Sequence, residues 1–375
     1  IDLHKVIRLI DEKPWLKCIN SHVHQKKVTE KSNVFLFITH ASKEIGMGHL
    51  SRSLALATEL QESFGAKTIF YTNNDITINK ILNEQGFKYY SANQFGDQAE
   101  IERLINQKKV NGIVLDLKKD MLSNLYKFIP KLSVPSVLID NFPDGIFKDL
   151  LAIIPAVQIN EQKLSENVYM GEKFLILKRE IQYWRENKDF TSPNGILIMS
   201  GGSNIPKESL LKAMKRIDKN IFITFIIGPY SEKASLDESL KRLGIVNYNI
   251  IRNPINIFQE LKKARLVVMP FGVTTYECFA LGIPAYVYYI INPDDEKIVK
   301  YLASNDLLFN GLNINSDSEV MSEMINTIYN NNSDLEKKSK NTLKYIDAFG
   351  VNRVEKIINQ NINNYNIESR SMIQS

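Results

Sequence analysis

The feature that most constrains the fold of this chain is a regular alternation of short apolar runs with segments of helical periodicity. The runs at 34–40 (VFLFITH) and 67–73 (KTIFYTN) are rich in β-branched and aromatic residues, as buried strands are. The segments at 51–65 and 75–87 have helical spacing and carry a glycine at or near their ends. This alternation predicts a parallel sheet covered by helices. Two further apolar runs end in aspartate: NGIVLD (111–116) and VPSVLID (134–140).

The alternation then stops and starts again, which predicts two domains. Residues 141–190 are expected to be irregular, and the polar stretch at 178–195 is expected to hold the domain boundary. We therefore predict two Rossmann-like, doubly wound α/β domains at 34–180 and 194–350, with a ligand in the cleft between them. Residues 1–33 are expected to be a helical extension or linker remnant, and 351–375 a C-terminal helix and polar tail. The second set of apolar runs is GILIMSGGSN (195–204), IFITFIIGP (221–229), YNIIRNP (248–254), ARLVVMPFG (264–272) and PAYVYYI (284–290).

Composition argues against several classes of protein. The net charge of the 375 residues is only +5, with dispersed basic residues, which suits a small anionic ligand better than nucleic acid. The two cysteines, Cys18 and Cys278, are far apart, so no disulfide framework or zinc motif is expected. This use of cysteine leads us to expect a protein of the reducing cytoplasm. No apolar run reaches the roughly 18 residues of a membrane span. Because the first residue is Ile, we expect a piece of a longer protein.

The most informative loop follows the first predicted strand and reads EIGMGHLSR (44–52). Gly46 and Gly48 would let the backbone approach a ligand closely. His49 would stand at the start of a helix, where unpaired N–H groups and the helix dipole favour an anion and a neutral imidazole that accepts a proton. Arg52, one turn later, would share a face with His49. The alternative is a tight turn in which His49 is an incidental surface or capping residue.

Two further glycine-containing loops follow predicted strands of the second domain. In LIMSGGSN (197–204), Gly201, Gly202 and Ser203 would form a pocket of N–H groups for a diphosphate, unless this is a plain strand-to-helix turn.

The other loop lies in MPFGVTTYECFALGIPA (269–285), where a helix is expected to begin after Gly272. Thr274 and Thr275 in its first turn would cap the helix or contact phosphate. Glu277, expected in that same turn, could accept hydrogen bonds from ribose hydroxyls or merely complement the helix dipole.

Metal binding is not expected. His22 and His24 could form a pair of ligands, but no third ligand is near them in the sequence.

Together these motifs resemble the GT-B-fold nucleotide-sugar enzymes, and among them the UDP-sugar hydrolases of pseudaminic acid biosynthesis, which act on UDP-2,4-diacetamido-2,4,6-trideoxy-β-L-altropyranose. The peptidoglycan N-acetylglucosaminyltransferases share the layout. The resemblance covers about residues 34–350, and VYMGEKFLILKREI (168–181) is similar to the interdomain stretch of the family.

The resemblance implies roles for residues on both sides of the cleft. His49 would activate a water that attacks the anomeric carbon of a UDP-sugar and displaces UDP with inversion. Glu277 would hold the ribose, and no cofactor or metal is implied. Ser203, Thr274 and Thr275 fall near the diphosphate. The sugar side of the cleft would be lined by Gly46, Gly48, Asp116 and Asp140.

The chain also departs from the family pattern. Phe271, Gly272 and Val273 replace the usual Gly-Gly-Ser or Ala-Gly-Ser, and Asn292 is the sole candidate for the amide residues that the family carries near the sugar. An inverting glycosyltransferase and a non-catalytic sugar-nucleotide binder therefore stay open as alternatives. The expected partner is a UDP-sugar, together with an upstream sugar-pathway domain that is fused to the chain or associated with it.

Overall fold

The strands of the computed structural model form two separate parallel sheets. The model describes residues 32–123, 125, 128–142, 150–156, 165–187, 193–201, 206–254, 256–289 and 293–374. Within these residues, one sheet has seven strands and the other has six, and every strand pairs in parallel with its neighbours. The prediction of two doubly wound α/β domains is confirmed.

The first sheet has the order β3-β2-β1-β4-β5-β6-β7. Its register places Thr39, the last residue of β1, beside Asp116, the last residue of β4. Its strands are β1 (Val34–Thr39), β2 (Lys67–Asn73), β3 (Lys88–Ala92), β4 (Gly112–Asp116), β5 (Ser136–Ile139), β6 (Leu151–Ile154) and β7 (Val168–Met170). Its helices are α1 (Gly48–Phe64), α2 (Ile76–Glu84), α3 (Gln98–Lys108) and α4 (Lys119–Ser123), with a 3₁₀ turn at Ile129–Lys131.

The second sheet has the order β10-β9-β8-β11-β12-β13. Its strands are β8 (Ile196–Met199), β9 (Ile223–Ile227), β10 (Tyr248–Arg252), β11 (Leu266–Pro270), β12 (Ala285–Tyr289) and β13 (Phe309–Asn313). The connecting helices are α6 (Glu208–Lys215), α7 (Lys233–Leu243), α8 (Ile257–Leu261), α9 (Val273–Leu281), α10 (Pro293–Ser304), α11 (Ser318–Asn330) and α12 (Asn332–Tyr345). None of the helices in the described residues has the length and apolar content of a membrane span.

The prediction that 141–190 is irregular is wrong. This stretch contributes β6 and β7 to the first sheet, a 3₁₀ turn at Glu172–Phe174 and helix α5 (Glu180–Glu186). The two strands have only four and three residues. Such short strands show too few alternations for a sequence pattern to reveal them. Pairing with β5 and with each other stabilises them instead.

An extended segment after β7 joins the two domains by facing both of their cores. Phe174 and Ile176 pack in the first domain's core, whereas Leu175 and Leu177 pack in the second domain's core. Phe174 ends the 3₁₀ turn, and the chain after it is extended, so the successive side chains of Leu175, Ile176 and Leu177 point alternately to the two cores. The apolar run FLIL therefore fixes the path of the chain between the domains.

Helix α13 (Gly350–Gln374) returns the chain from the second domain to the first. Val351, Val354, Ile358 and Ile362 lie three or four residues apart and are buried in the first domain's core. At the start of the helix, a Cβ on Gly350 would lie 2.2 Å from the Leu175 carbonyl oxygen, so only glycine fits this crossing. Truncation of Ile358 to Ala should cost about 2–5 kcal/mol of unfolding free energy.

Candidate active site

The loop between β1 and α1 is shaped by its own backbone and leaves space at its glycines. Gly46 adopts φ +86°, which favours glycine, and its N–H donates to the Ser42 carbonyl at 2.8 Å. Helix α1 begins at Gly48, and no side chain caps it. No atom of the described residues lies within 4 Å of a Cβ built on Gly46 or Gly48. The N-terminus of α1 can therefore be approached by a ligand.

His49, in the first turn of α1, is hydrogen-bonded to a buried carboxylate at the end of β4. Its Nδ1 lies 2.7 Å from Asp116 Oδ1. A carboxylate only accepts hydrogen bonds, so the proton of a neutral His49 lies on Nδ1. The Nε2 lone pair is then free to accept a proton. This is the arrangement by which a carboxylate orients an imidazole base.

Arg52 binds the same carboxylate in a bidentate manner. Its Nε and Nη2 donate to Asp116 at 2.9 and 2.6 Å, and its Nη1 donates to Asp140 at 2.8 Å. Ser53 Oγ donates to Asp116 Oδ2 at 3.3 Å. The two carboxylates come from the ends of neighbouring strands β4 and β5. One arginine thus links α1 to two strands of the sheet.

Burial and neighbouring charges shift the pKa values of Asp116 and Arg52 in opposite directions. Asp116 is 1% exposed and Arg52 is 8% exposed. Burial by itself would raise the pKa of Asp116, but the charge and hydrogen bonds of Arg52, with His49, hold that pKa below its usual value. Burial opposes the charge on Arg52, yet Asp116 and Asp140 raise its pKa above the usual value. Both groups therefore stay ionised and His49 faces a fixed negative charge.

Asp140 lies at a strained position. Its φ of +61° belongs to the left-handed region, which aspartate tolerates better than most residues. Next to it, Asn141 Nδ2 donates to the carbonyls of Leu117 and Ile139 at 2.8 and 3.1 Å. These bonds tie the ends of β4 and β5 together. They hold the Asp140 carboxylate where Arg52 reaches it.

On the second domain, the end of β8 carries the glycine loop. Ser200 follows the strand and is buried, and its Oγ has no hydrogen-bond partner within the described part of the chain. Gly201 has φ +78°. Of the other residues predicted for this side, Gly202, Ser203 and Asn292 lie outside the described residues, as do His22 and His24.

The start of α9 uses one of its two predicted hydroxyls internally. Thr275 is fully buried, and its Oγ1 accepts a hydrogen bond from Gly272 N–H at 3.3 Å. Thr275 is therefore a capping residue, which was one of the two alternatives. Thr274 is only half-buried and lies beside Glu277.

Glu277 is not in the first turn of α9, contrary to the prediction. The helix begins at Val273, so Glu277 is its fifth residue, and the first turn contains no acidic residue. It is 5% exposed, and burial raises its pKa, while Lys178 and Thr274 act in the other direction. The sequence missed Lys178, because nothing in the pattern shows that the interdomain segment passes beside α9.

The carboxyl ends of the two sheets face each other. Tyr230, which follows β9 in the second domain, has a buried hydroxyl that lies beside Asp75 and Thr77 at the start of α2 in the first domain. Burial raises the pKa of Tyr230, as do Asp75 and Glu44. The loops at the ends of β2 and β9 therefore meet across the cleft. Among the described residues, no three His, Cys, Asp or Glu side chains are grouped to hold a metal ion.

Two curated proteins are similar to this chain in sequence, although no family model matches it. An uncharacterised protein of Methanocaldococcus jannaschii is 28% identical over 274 residues, which cover 67% of this chain and 54% of that protein. The spore coat polysaccharide biosynthesis protein SpsG of Bacillus subtilis is 26% identical over 266 residues, covering 65% of this chain and 74% of SpsG. The chain thus spans about half the length of the archaeal relative.

Solved structures match over most of the chain. MurG of Acinetobacter baumannii has a TM-score of 0.59 at 16% identity and covers 87% of this chain and 99% of its own. The calicheamicin glycosyltransferase CalG4 has a TM-score of 0.59 at 14% identity, and the match covers 88% of this chain and 99% of CalG4. The UDP-GlcNAc 2-epimerase of Neisseria meningitidis, bound to UDP-GlcNAc, has a TM-score of 0.58 at 10% identity, and the match covers 87% of this chain and 100% of the epimerase. At these identities the likeness shows the fold, and this chain has the GT-B fold.

Proposed function

We propose that this chain hydrolyses a UDP-activated deoxyamino sugar at the anomeric carbon and releases UDP, within the biosynthesis of a nonulosonic acid of the pseudaminic type or of another surface glycan. The observation that carries the proposal is the hydrogen bond from His49 Nδ1 to Asp116, whose charge Arg52 secures. The name of SpsG, a polysaccharide biosynthesis protein, and the UDP-GlcNAc bound to the structurally similar epimerase support a UDP-sugar as substrate.

The reaction needs a base on one side of the sugar and a stabilised leaving group on the other. His49 Nε2 takes a proton from a water as the water oxygen bonds to the anomeric carbon. The bond from that carbon to the diphosphate oxygen breaks, and UDP leaves with its electron pair. Asp116 stabilises the imidazolium that forms. Attack opposite the leaving group inverts the configuration.

The second domain would hold the nucleotide. The N-terminus of α9, with Ser200 and Gly201 at the end of β8, would supply backbone N–H groups and hydroxyls that stabilise a diphosphate without a metal. Glu277, beside Thr274, would accept hydrogen bonds from the ribose. In this arrangement, one domain carries the base and the other carries the leaving group.

The decisive experiment offers UDP-sugars to the protein without an acceptor and follows UDP release by NMR. We expect release from at least one UDP-activated N-acetylated amino sugar, with the first-formed anomer opposite to that of the substrate. His49→Asn should reduce turnover by about 10²–10⁴-fold while UDP still binds. Lys80→Ala, an exposed change on α2, is the control. Turnover by the His49 variant at the normal rate would contradict the role of His49.

A second candidate function is inverting glycosyl transfer, in which an acceptor hydroxyl replaces the water. The observation that favours it is Phe142, which is 46% exposed two residues after Asp140. An exposed aromatic ring so close in the sequence to Asp140 would suit the apolar part of an acceptor. UDP release that occurs only when an acceptor is added would establish transfer. UDP-sugar binding with no release under either condition would indicate a non-catalytic binder.

A further inference from the structure

A second histidine stands at the point where the strand order of the first sheet reverses. The chain leaves β1 toward β2 on one side and reaches β4 on the other, so β1 and β4 border the crevice where doubly wound folds bind ligands. His40 is the first residue after β1. It belongs to none of the glycine motifs, and the proposed reaction does not use it.

His40 packs on the side of the sheet opposite to α1. Leu36 and Ile38 of β1 lie in a different core layer from Phe35 and Phe37, which pack with α1. His40 continues the Leu36 and Ile38 face and meets Phe95 edge-on, with ring centres 5.2 Å apart. His49, at the start of α1, lies on the other face. The two imidazoles therefore flank the crevice from opposite sides.

The hydrogen bonding of His40 is incomplete. The ring is half-buried, and its Nδ1 is buried with no hydrogen-bond partner among the residues that the structure describes. Burial, followed by the charge of His49, lowers the pKa of His40; Lys118 acts in the same direction, and Asp75 and Glu44 act against it. The imidazole is thus neutral near pH 7. A buried N–H without an acceptor loses its hydrogen bond to water and gains none in return, so the proton lies on Nε2 rather than on Nδ1.

Packing alone does not account for a histidine here. The contact with Phe95 requires only an aromatic ring, and a phenylalanine would make it without burying an unpaired nitrogen. What the imidazole adds is one N–H, on the edge of the ring away from the buried nitrogen. An N–H at the switch point of the sheet suits an oxygen of a bound ligand.

We infer that His40 is a specificity-determining residue that contacts the sugar, with its Nε2–H donating to a hydroxyl or acetamido oxygen on the side of the crevice opposite His49. This inference rests on the proposed function, because it takes the first domain to hold the sugar and the second to hold UDP. It predicts that His40 affects the affinity for the sugar part of the substrate and leaves the affinity for UDP alone unchanged.

The test measures binding of UDP and of UDP-N-acetylglucosamine by calorimetry in a His49→Asn background, which suppresses turnover. The Kd for UDP divided by the Kd for UDP-N-acetylglucosamine gives the factor by which the sugar increases the affinity. His40→Phe retains the ring contact with Phe95 but has no N–H, and His40→Gln places an amide N–H near the position of Nε2. We expect the ratio to fall about 10-fold in the Phe variant, as for the loss of one hydrogen bond, and to recover in the Gln variant.

The outcomes separate the two proposals. If UDP affinity stays within about twofold in all variants while the ratio falls only in His40→Phe, the inference holds. An unchanged ratio in His40→Phe would contradict the inference but not the proposed function. The same holds if the sugar adds no affinity when His40 is intact. If the wild-type protein binds neither UDP nor any UDP-sugar, the proposed function fails, and the inference fails with it. Thermal melting confirms that each variant is folded.

Discussion

The two sides of the cleft differ in how their buried polar groups are paired. On the first domain, His49, Arg52, Asp116 and Asp140 form a network whose charges are paired before any ligand arrives. On the second domain, the buried polar groups that the structure describes at the cleft are hydroxyls and one carboxyl without an arginine, and the Oγ of Ser200 has no hydrogen-bond partner among the described residues.

This difference indicates how the work is divided. A buried pair of opposite charges is stable only with good geometry, and it then fixes the position of each member. Such a site is suited to orienting a base. Hydroxyls and backbone N–H groups hold an anion without a fixed charge of their own. Such a site is suited to holding UDP and releasing it.

The largest effect is expected from breaking the network. Arg52→Met leaves Asp116 as a buried charge without a counterion, which should cost about 3–5 kcal/mol of unfolding free energy, measured by urea denaturation. The control is Arg216→Met in the second domain, where the pair with Glu319 at 2.8 Å is exposed. That loss should be about 1 kcal/mol or less. Equal losses in the two variants would show that the network is not the stabilising feature.

Breaking the other side should affect binding rather than stability. Glu277→Gln removes a carboxylate that accepts hydrogen bonds from the ribose, so UDP affinity should fall about 10–100-fold by calorimetry. Because burial raises the pKa of Glu277, the neutral amide should leave the melting temperature at pH 8 unchanged or higher. Glu208→Gln, an exposed change on α6, serves as the control. Unchanged UDP affinity would remove Glu277 from the ribose site.

A buried carboxyl pair between α1 and α13 extends the comparison to a third region. Glu59 and Glu355 are buried, and each has one oxygen for which the described residues provide no hydrogen-bond partner. Asn352 Nδ2 and Ser63 Oγ donate to Glu59 Oε1 at 2.7 and 3.0 Å. Burial, followed by the charge of Glu59, raises the pKa of Glu355 to about 8. This is opposite to Asp116, whose pKa is lowered.

The pair predicts a smaller, pH-dependent effect. A carboxyl whose pKa is raised on folding stabilises the folded state below its unfolded pKa, about 4.3, and this contribution is lost as the pH rises toward 8. Glu355→Gln imitates the protonated acid at every pH. Its melting temperature should therefore match the wild type near pH 4 and exceed it by a few degrees at pH 8.5. A variant that is less stable at both values would contradict a protonated Glu355.

Much of the fold follows from local patterns. Strand runs such as VFLFITH and helical repeats such as SRSLALATELQESFG predicted the parallel sheets and the strand-to-helix turn that carries His49. These elements are set by residues close together in the sequence, where periodicity is visible. Four-residue β6 and three-residue β7 gave no such signal, because their stability comes from neighbouring strands.

Only the tertiary structure decided how the site is assembled. The sequence placed Arg52, Asp116 and Asp140 at the edge of one domain, but it did not show that Arg52 bridges two carboxylates 64 and 88 residues away. Nor did it show that α13 returns to the first domain, or that Lys178 lies beside Glu277. The period of a pattern determines which face of an element is buried, whereas the partners of a polar side chain depend on which elements pack together. Those partners are fixed only when burial removes water, because a buried charge is stable only beside a counterion.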